Sequence, residues 1–258
     1  MVVSVKSPSE IVAMRRAGRV VAVVLKKLAD SLQLGMTTQE LNNIAESELK
    51  SLGATSSFKG YRGYPASICV SINDEIVHGI PGERVVKNGD LVSLDFGAIV
   101  GGYHGDAAIT VGVGEIGAQA QSLLQATQGA LKAGIAAARA GGHLGDISWA
   151  IQSYAEARGF GVVREYTGHG IGKAMHEEPL VPNYGKVGTG PELKVGMTLA
   201  LEPMLTTGDW HTKVGSDSWL VSTVDHSLAA HFEHTIAITA QGGEVLTKLE
   251  ADTKGADF

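Results

Sequence analysis

Lys87-Asn88-Gly89-Asp90-Leu91-Val92-Ser93-Leu94-Asp95 recurs 107 residues later as Lys194-Val195-Gly196-Met197-Thr198-Leu199-Ala200-Leu201-Glu202. A lysine, a glycine, a leucine and a terminal carboxylate stand in register, more than two amphipathic segments share by chance. Upstream, Gly35 through Leu41 to Gly53 overlays Gly141 through Ile147 to Gly159 at an offset of 106. Self-similarity at a nearly constant offset marks an internal duplication. It divides the chain into halves of roughly 7–113 and 114–240 within a single domain spanning 1–258. In each half the quoted stretch alternates as a strand does. Val92, Leu94, Phe96 and Ala98 form an apolar face, and Leu91, Ser93, Asp95 and Gly97 form the other. Leu199 and Leu201 likewise oppose Thr198, Ala200 and Glu202. Each half therefore aims one acid from the polar side of a strand fit to be covered by helices.

The helices can be read on either side. Ser7-Pro8-Ser9-Glu10 combines an N-cap serine, a proline at the first helical position and a capping-box glutamate. Behind it Ile11, Met14, Gly18, Val21, Leu25, Leu28 and Leu32 keep to one helical face. Thr37 with Glu40 opens a second helix that Gly53 closes, and two more are expected over about 117–138 and 146–158. Helix, helix and strands repeated twice predict an α+β fold with two related halves facing a shared cleft.

Composition narrows the function. The 258 residues carry a net charge of −6 with no Lys/Arg run, so no specific nucleic acid partner is expected. The longest apolar run near the start, Val20 to Leu25, is too short for a signal core or a membrane span, and a cytoplasmic, membrane-free protein is expected. The single cysteine, Cys69, excludes an intramolecular disulfide and a cysteine-based zinc finger. Without a coiled-coil pattern or a large apolar stripe, the expectation is a monomer. Glycine is abundant at 34 residues; Gly101, Gly102 and Gly105 are read as crowding the approach to Asp106, and Gly168, Gly170 and Gly172 as surrounding His169.

Four acids occupy strand-like contexts: Asp95, Asp106, Glu202 and Glu233. A strand acid usually serves a solvated face, but four in related places of two halves suggest convergence. Converging carboxylates repel one another unless cations sit among them, and two divalent ions balance four acids. Of the nine histidines, His169 in Thr167-Gly168-His169-Gly170-Ile171-Gly172, His176 in His176-Glu177-Glu178-Pro179 and His78 at the end of an apolar strand are singled out. The other six are assigned to ordinary structural or surface roles. An oxygen-rich site with one imidazole suits Mn, Fe or Co, with Zn or Ni also admitted. Two such ions sharing a water would make a nucleophile near neutral pH, which points to hydrolysis.

At these residues the sequence resembles the type I methionine aminopeptidases of the short bacterial class, over nearly the whole chain from Ser7 to about Thr247. The resemblance implies the pita-bread, or creatinase-like, fold: an antiparallel sheet flanked by four helices with pseudo-two-fold halves. It implies five metal ligands, Asp95, Asp106, His169, Glu202 and Glu233, with Asp106 and Glu233 bridging two ions. It also implies that Glu202 accepts the proton of an attacking water held between the ions, while His78 and His176 flank the scissile peptide. Tyr61, Tyr64, Cys69 and Trp219 match family pocket positions for a methionine side chain. Phe58 stands where a cysteine is common, Met175 where a phenylalanine is common, and Gly97 where a threonine is often seen. The implied substrates are N-terminal methionyl peptides and nascent chains with a small second residue, met during transient ribosome association.

Three rivals share parts of this pattern. Aminopeptidase P and prolidase share the fold and ligands but normally carry an additional N-terminal domain. A non-catalytic binding protein of the same fold would lose ligands, whereas all five are present. A type II enzyme would need a helical insertion in the second half, and the 30 residues between Glu202 and Glu233 leave little space for it.

Overall fold

The computed structural model describes residues 3–249; the ends of the expected 1–258 domain, residues 1–2 and 250–258, lie outside the described residues. Four α-helices are present among them: α1 (Pro8–Ser31), α2 (Thr38–Ser51), α3 (Ala118–Ala137) and α4 (Leu144–Glu156). The strands of the first half are β1 (Thr55–Ser56), β2 (Cys69–Ile72), β3 (Glu75–Val77), β4 (Leu91–Val100) and β5 (Tyr103–Gly112). Those of the second are β6 (Gly161–Val162), β7 (Gly168–Gly170), β8 (Glu177–Val181), β9 (Thr198–Leu201) and β10 (Met204–Thr206). They continue with β11 (Thr212–Val214), β12 (Val221–Thr223), β13 (Ala229–His231), β14 (Glu233–Thr239) and β15 (Gly242–Val245).

Helix entry follows local chemistry. The Ser7 hydroxyl accepts from the Glu10 N–H while the Glu10 carboxylate accepts from Ser7 N–H at 2.8 Å, and Thr37 with Glu40 repeats the arrangement. Two orphan amides are satisfied at each helix start. The fourth helix departs from expectation by starting and ending two residues earlier. Asp146 is not its first residue; its carboxylate reaches back to the His143 N–H at 2.8 Å. That makes His143 the N-cap.

A nine-stranded antiparallel sheet runs β1-β4-β5-β14-β9-β7-β8, with β2 paired to β4 and β15 to β14. The duplicated stretches, β4 and β9, lie one strand out from the central β5–β14 pair, on opposite sides. Val92, Leu94, Phe96, Ala98, Leu199 and Leu201 enter the main core with the apolar faces of the four helices. Area-based bookkeeping puts burial of each such large side chain at about 1.5–3 kcal/mol. The polar face is left for the acids. No helix interrupts residues 203–232, which form short strands instead. Among the described residues no helix is long and apolar enough to cross a membrane.

Two glycine expectations change. Gly101 (φ 59°) and Gly102 (φ 80°) make a two-residue hairpin loop between β4 and β5, the primed turn that needs positive φ twice. Gly105 faces α1, where an added Cβ would stand 2.7 Å from Gly18 N. None of the three crowds Asp106.

Candidate active site

Asp95 lies mid-strand in β4, and Asp106 near the start of β5 opposite Gly97. Glu233 opens β14 opposite Ala108, which also pairs with Asp95 on the other side of β5. Three adjacent strands thus bring three acids to one line. Glu202 follows β9 directly, and His169 in β7 pairs with Ala200 of β9. Gly168 and Gly170 permit this pairing, because a Cβ at either would meet a backbone carbonyl oxygen at 2.3 or 2.2 Å.

The five side chains converge. Asp106, His169 and Glu233, each buried, offer ligand atoms within 4.8 Å of one another. His169 Nε2 lies 3.7 Å from Glu202 Oε1 and 4.0 Å from Asp106 Oδ2. The other ring nitrogen, Nδ1, is 2.8 Å from the Gly170 carbonyl. A carbonyl only accepts, so Nδ1 carries the proton and the Nε2 lone pair faces the carboxylates.

Electrostatics make the cluster costly as it stands. Burial, then the neighbouring Asp106 charge, pushes Asp95 well above the usual carboxylate range. Burial alone raises Asp106 to about 7. Glu202 and Glu233 are raised by burial and then by the surrounding acids. Burial lowers His169 to about 4, so its imidazole is neutral. Asp95 Oδ1, Asp106 Oδ1 and Glu233 Oε1 are buried without a hydrogen-bond partner. Buried polar atoms are normally paired, and acceptor oxygens with one aimed imidazole are the donor set of a divalent cation. The residues fit a metal.

The cluster lies in a cavity of about 140 Å³ lined by Phe58, Tyr61, Tyr64, Cys69, Met175 and Trp219 on its apolar side. His78, His176, Arg62 and the five clustered residues themselves complete the lining, so cluster and apolar wall share one cavity. Tyr61 stacks on His176 at 5.3 Å, and the His176 and His169 rings lie 4.1 Å apart. Trp219 sits 5.0 Å from Tyr64 and 6.3 Å from His78. Burial holds His78 below the usual imidazole range, and His176 is lowered by burial and then by the His169 and Arg62 charges. All the acids, histidines and pocket residues expected from the sequence to form the site line this one cavity.

Gly97 and Phe58 prove to be one feature. A Cβ at 97 would stand 2.8 Å from Ser57 Cβ and 2.9 Å from Phe58 Cε1, so the phenylalanine ring fills space that a side chain at 97 would claim. Gly97→Thr is expected to destabilise the protein by about 1–3 kcal/mol through overpacking. Adding Phe58→Cys should return the part of that loss owed to the ring, while the contact with Ser57 remains. Denaturant titration of both single variants and the double variant measures the coupling; purely additive losses would show that the two positions act independently.

The sequence reading missed two residues near the site. Arg62 lines the cavity, in left-handed conformation (φ 49°) and with its guanidinium 5.4 Å from the Tyr61 ring. His231 was grouped with the structural histidines, and five of those six are partnered: His104 with Ser57, His211 with Asp209, His226 with Asp74 and His234 with Thr247, while His143 caps α4. His231 has no such partner, and its Nε2 lies 3.8 Å from Glu233 Oε2. Spacing offered a signal, since residues two apart on an extended chain share a face.

An antiparallel sheet that gathers buried acids and one imidazole in a cavity with an apolar wall is the centre of a metallopeptidase. The profile of metallopeptidase family M24 matches residues 12–240, and the chain belongs to that family. It is 50% identical over 244 residues to methionine aminopeptidase 1 of Bacillus subtilis, covering 95% of this chain and 98% of the relative. The crystal structure of methionine aminopeptidase from Thermotoga maritima superposes with a TM-score of 0.95 at 45% identity, over 96% of this chain and all of that one. An Xaa-Pro dipeptidase from Bacillus anthracis is more distant: TM-score 0.76, 26% identity, with 95% of this chain covering 62% of that one. The fold is the pita-bread fold.

Proposed function

We propose that this chain is a metal-dependent aminopeptidase that removes N-terminal methionine from peptides whose second residue is small. One observation carries the reading: the acid–imidazole cluster shares one small cavity with an apolar wall containing a thiol, a thioether and aromatic rings. The whole cavity, acid cluster included, is about 140 Å³, below the 300–1,000 Å³ of typical ligand sites, so its apolar part has room for no more than one side chain. A soft, apolar lining matches a thioether.

Asp95, Asp106, His169, Glu202 and Glu233 would hold two divalent ions, with Mn, Fe or Co favoured by the oxygen-rich donors. Such ions supply Lewis acidity and lower the pKa of water. Glu202, raised by burial, accepts a proton from the attacking water. His78 and His176 are neutral at pH 7, and as N–H donors they steady the carbonyl oxygen of the scissile peptide and orient the departing amine, which receives the proton that Glu202 took from the water. The apolar wall fixes the methionine side chain and excludes water from it. Residues 7–113 and 114–240 act as two related halves of one catalytic domain, each contributing ligands. Nascent chains would be the natural source of substrate, and the reading includes a cytoplasmic location, transient contact with the ribosome and a monomeric enzyme.

Met-Ala-Ser and Ala-Pro-type peptides, assayed with Mn or Co and with chelator, test the reading. Cleavage of the first, abolished by chelator, is expected. Cleavage of the Ala-Pro peptide alone would move the chain to the prolidase side of the family. Metal analysis of protein purified without added metal identifies the resident ion and its stoichiometry.

A further inference from the structure

His231 is 1% exposed, and neither ring nitrogen has a hydrogen-bond partner among the described residues. A buried polar atom left unpaired is destabilising, so an apolar side chain here would leave the unliganded protein at least as stable. The backbone that carries the imidazole is nonetheless held firmly. Thr110 Oγ1 accepts from the His231 N–H at 2.9 Å and donates to the His231 carbonyl at 2.8 Å. Ser93 Oγ lies 2.8 Å from the same hydroxyl.

The clamp has a counterpart. Thr235 Oγ1 accepts from the Asp106 N–H at 3.0 Å and donates to the Asp106 carbonyl at 2.8 Å. The two clamps lie symmetrically about the Ala108–Glu233 pair at the centre of the sheet. One fixes the backbone of an acid in the cluster, and the other fixes the backbone of a histidine whose Nε2 is 3.8 Å from Glu233 Oε2. A normal N–H···O bond is about 2.9–3.0 Å, so a rotation of the carboxylate by less than an ångström closes the gap. Phe232, between them, turns the other way into the core.

We propose that His231 is a positioning residue: its Nε2–H donates to the Glu233 carboxylate and sets the rotation in which that carboxylate meets a metal ion. The proposal rests on reading Glu233 as a metal ligand. Carboxylate ligands commonly need such an outer partner to fix their orientation. The unpaired nitrogen of the metal-free protein is then a bond kept ready for the loaded one.

Calorimetric titration of metal-free protein with Co²⁺ tests it, with His231→Leu, His231→Gln and Glu233→Gln compared with the parent. Loss of the outer hydrogen bond should weaken binding in His231→Leu by about 10–100-fold. A glutamine amide nitrogen can take the place of Nε2, so His231→Gln should stay within a few-fold of the parent. The melting temperature of metal-free His231→Leu should equal or exceed the parent's, which a merely structural histidine would not allow. Parent-like affinity in His231→Leu, or equal weakening in Leu and Gln, overturns the proposal. If the leucine variant does not fold, His231→Asn, whose amide is too short to reach, replaces it in the comparison with Gln. Undiminished Co²⁺ binding by Glu233→Gln would instead overturn the ligand reading beneath it.

Discussion

His169→Ala is expected to lower kcat/KM by more than about 10³-fold, beyond the 10²–10³ that one oxyanion-hole donor is worth, and to weaken metal uptake at the same time. His169 supplies the one nitrogen among five proposed ligands, and its proton on Nδ1 is committed to the Gly170 carbonyl. Its Nε2 is 3.7 Å from Glu202 and 4.0 Å from Asp106. Alanine removes that donor and leaves the acids to face one another. It also removes the ring against which His176 packs at 4.1 Å, so a second residue of the proposed machinery loses its support. Peptide assays with saturating Co or Mn, alongside metal content by mass spectrometry, separate the two effects. Full turnover with parent metal content would dismantle the proposed ligand set.

Chelation should make stability depend on pH in one direction. In an unfolded chain Asp and Glu titrate near 3.9 and 4.3. In the folded metal-free protein Asp106 is raised to about 7 and Asp95, Glu202 and Glu233 lie well above their ordinary values. Between those limits the folded state holds protons that the unfolded chain has released. Stability therefore falls as pH rises, by about 1.4 kcal/mol per pH unit for each carboxyl kept protonated. Below about pH 6.5 the histidines that burial holds low oppose this trend, His169 at about 4, His176 and His231 at about 3, with His78 and His104 also lowered, because the unfolded chain takes up protons that they refuse. Above pH 6.5 the acids act alone. Metal replaces those protons, so its apparent affinity should rise with pH. The melting-temperature difference between loaded and chelated protein should widen from pH 6.5 to 8.5. A constant difference would mean that the cluster is already ionised without metal.

The features legible in the sequence are those set by short-range chemistry or by repetition. Capping boxes at Ser7 and Thr37 place two helix starts because their hydrogen bonds close within four residues. The Lys87–Asp95 repeat placed two acids on equivalent strand faces, and alternation assigned their direction. His143 escaped because a histidine at an N-cap carries little statistical signal, although Asp146 three residues on did. The Gly97–Phe58 complementarity depends on segments far apart in sequence, and no local pattern encodes such a distance, whereas the His231–Glu233 spacing is local and legible by alternation. The short strands of residues 203–232 escaped because three-residue elements have no period to detect.

The position of β14 bears on how the protein is made. It precedes only β15 in chain order, yet it occupies the middle of the sheet between β5 and β9. During vectorial synthesis the chain emerges with two partial sheets, each ending in an open strand edge, until residues 233–239 arrive to join them. Open edges are sites of mispairing between chains, so this interval is when aggregation threatens most. A chain terminated shortly before Glu233 is consequently no trimmed enzyme. It lacks the seam between its halves, and the last ligand delivered is also the first residue of the strand that closes the fold.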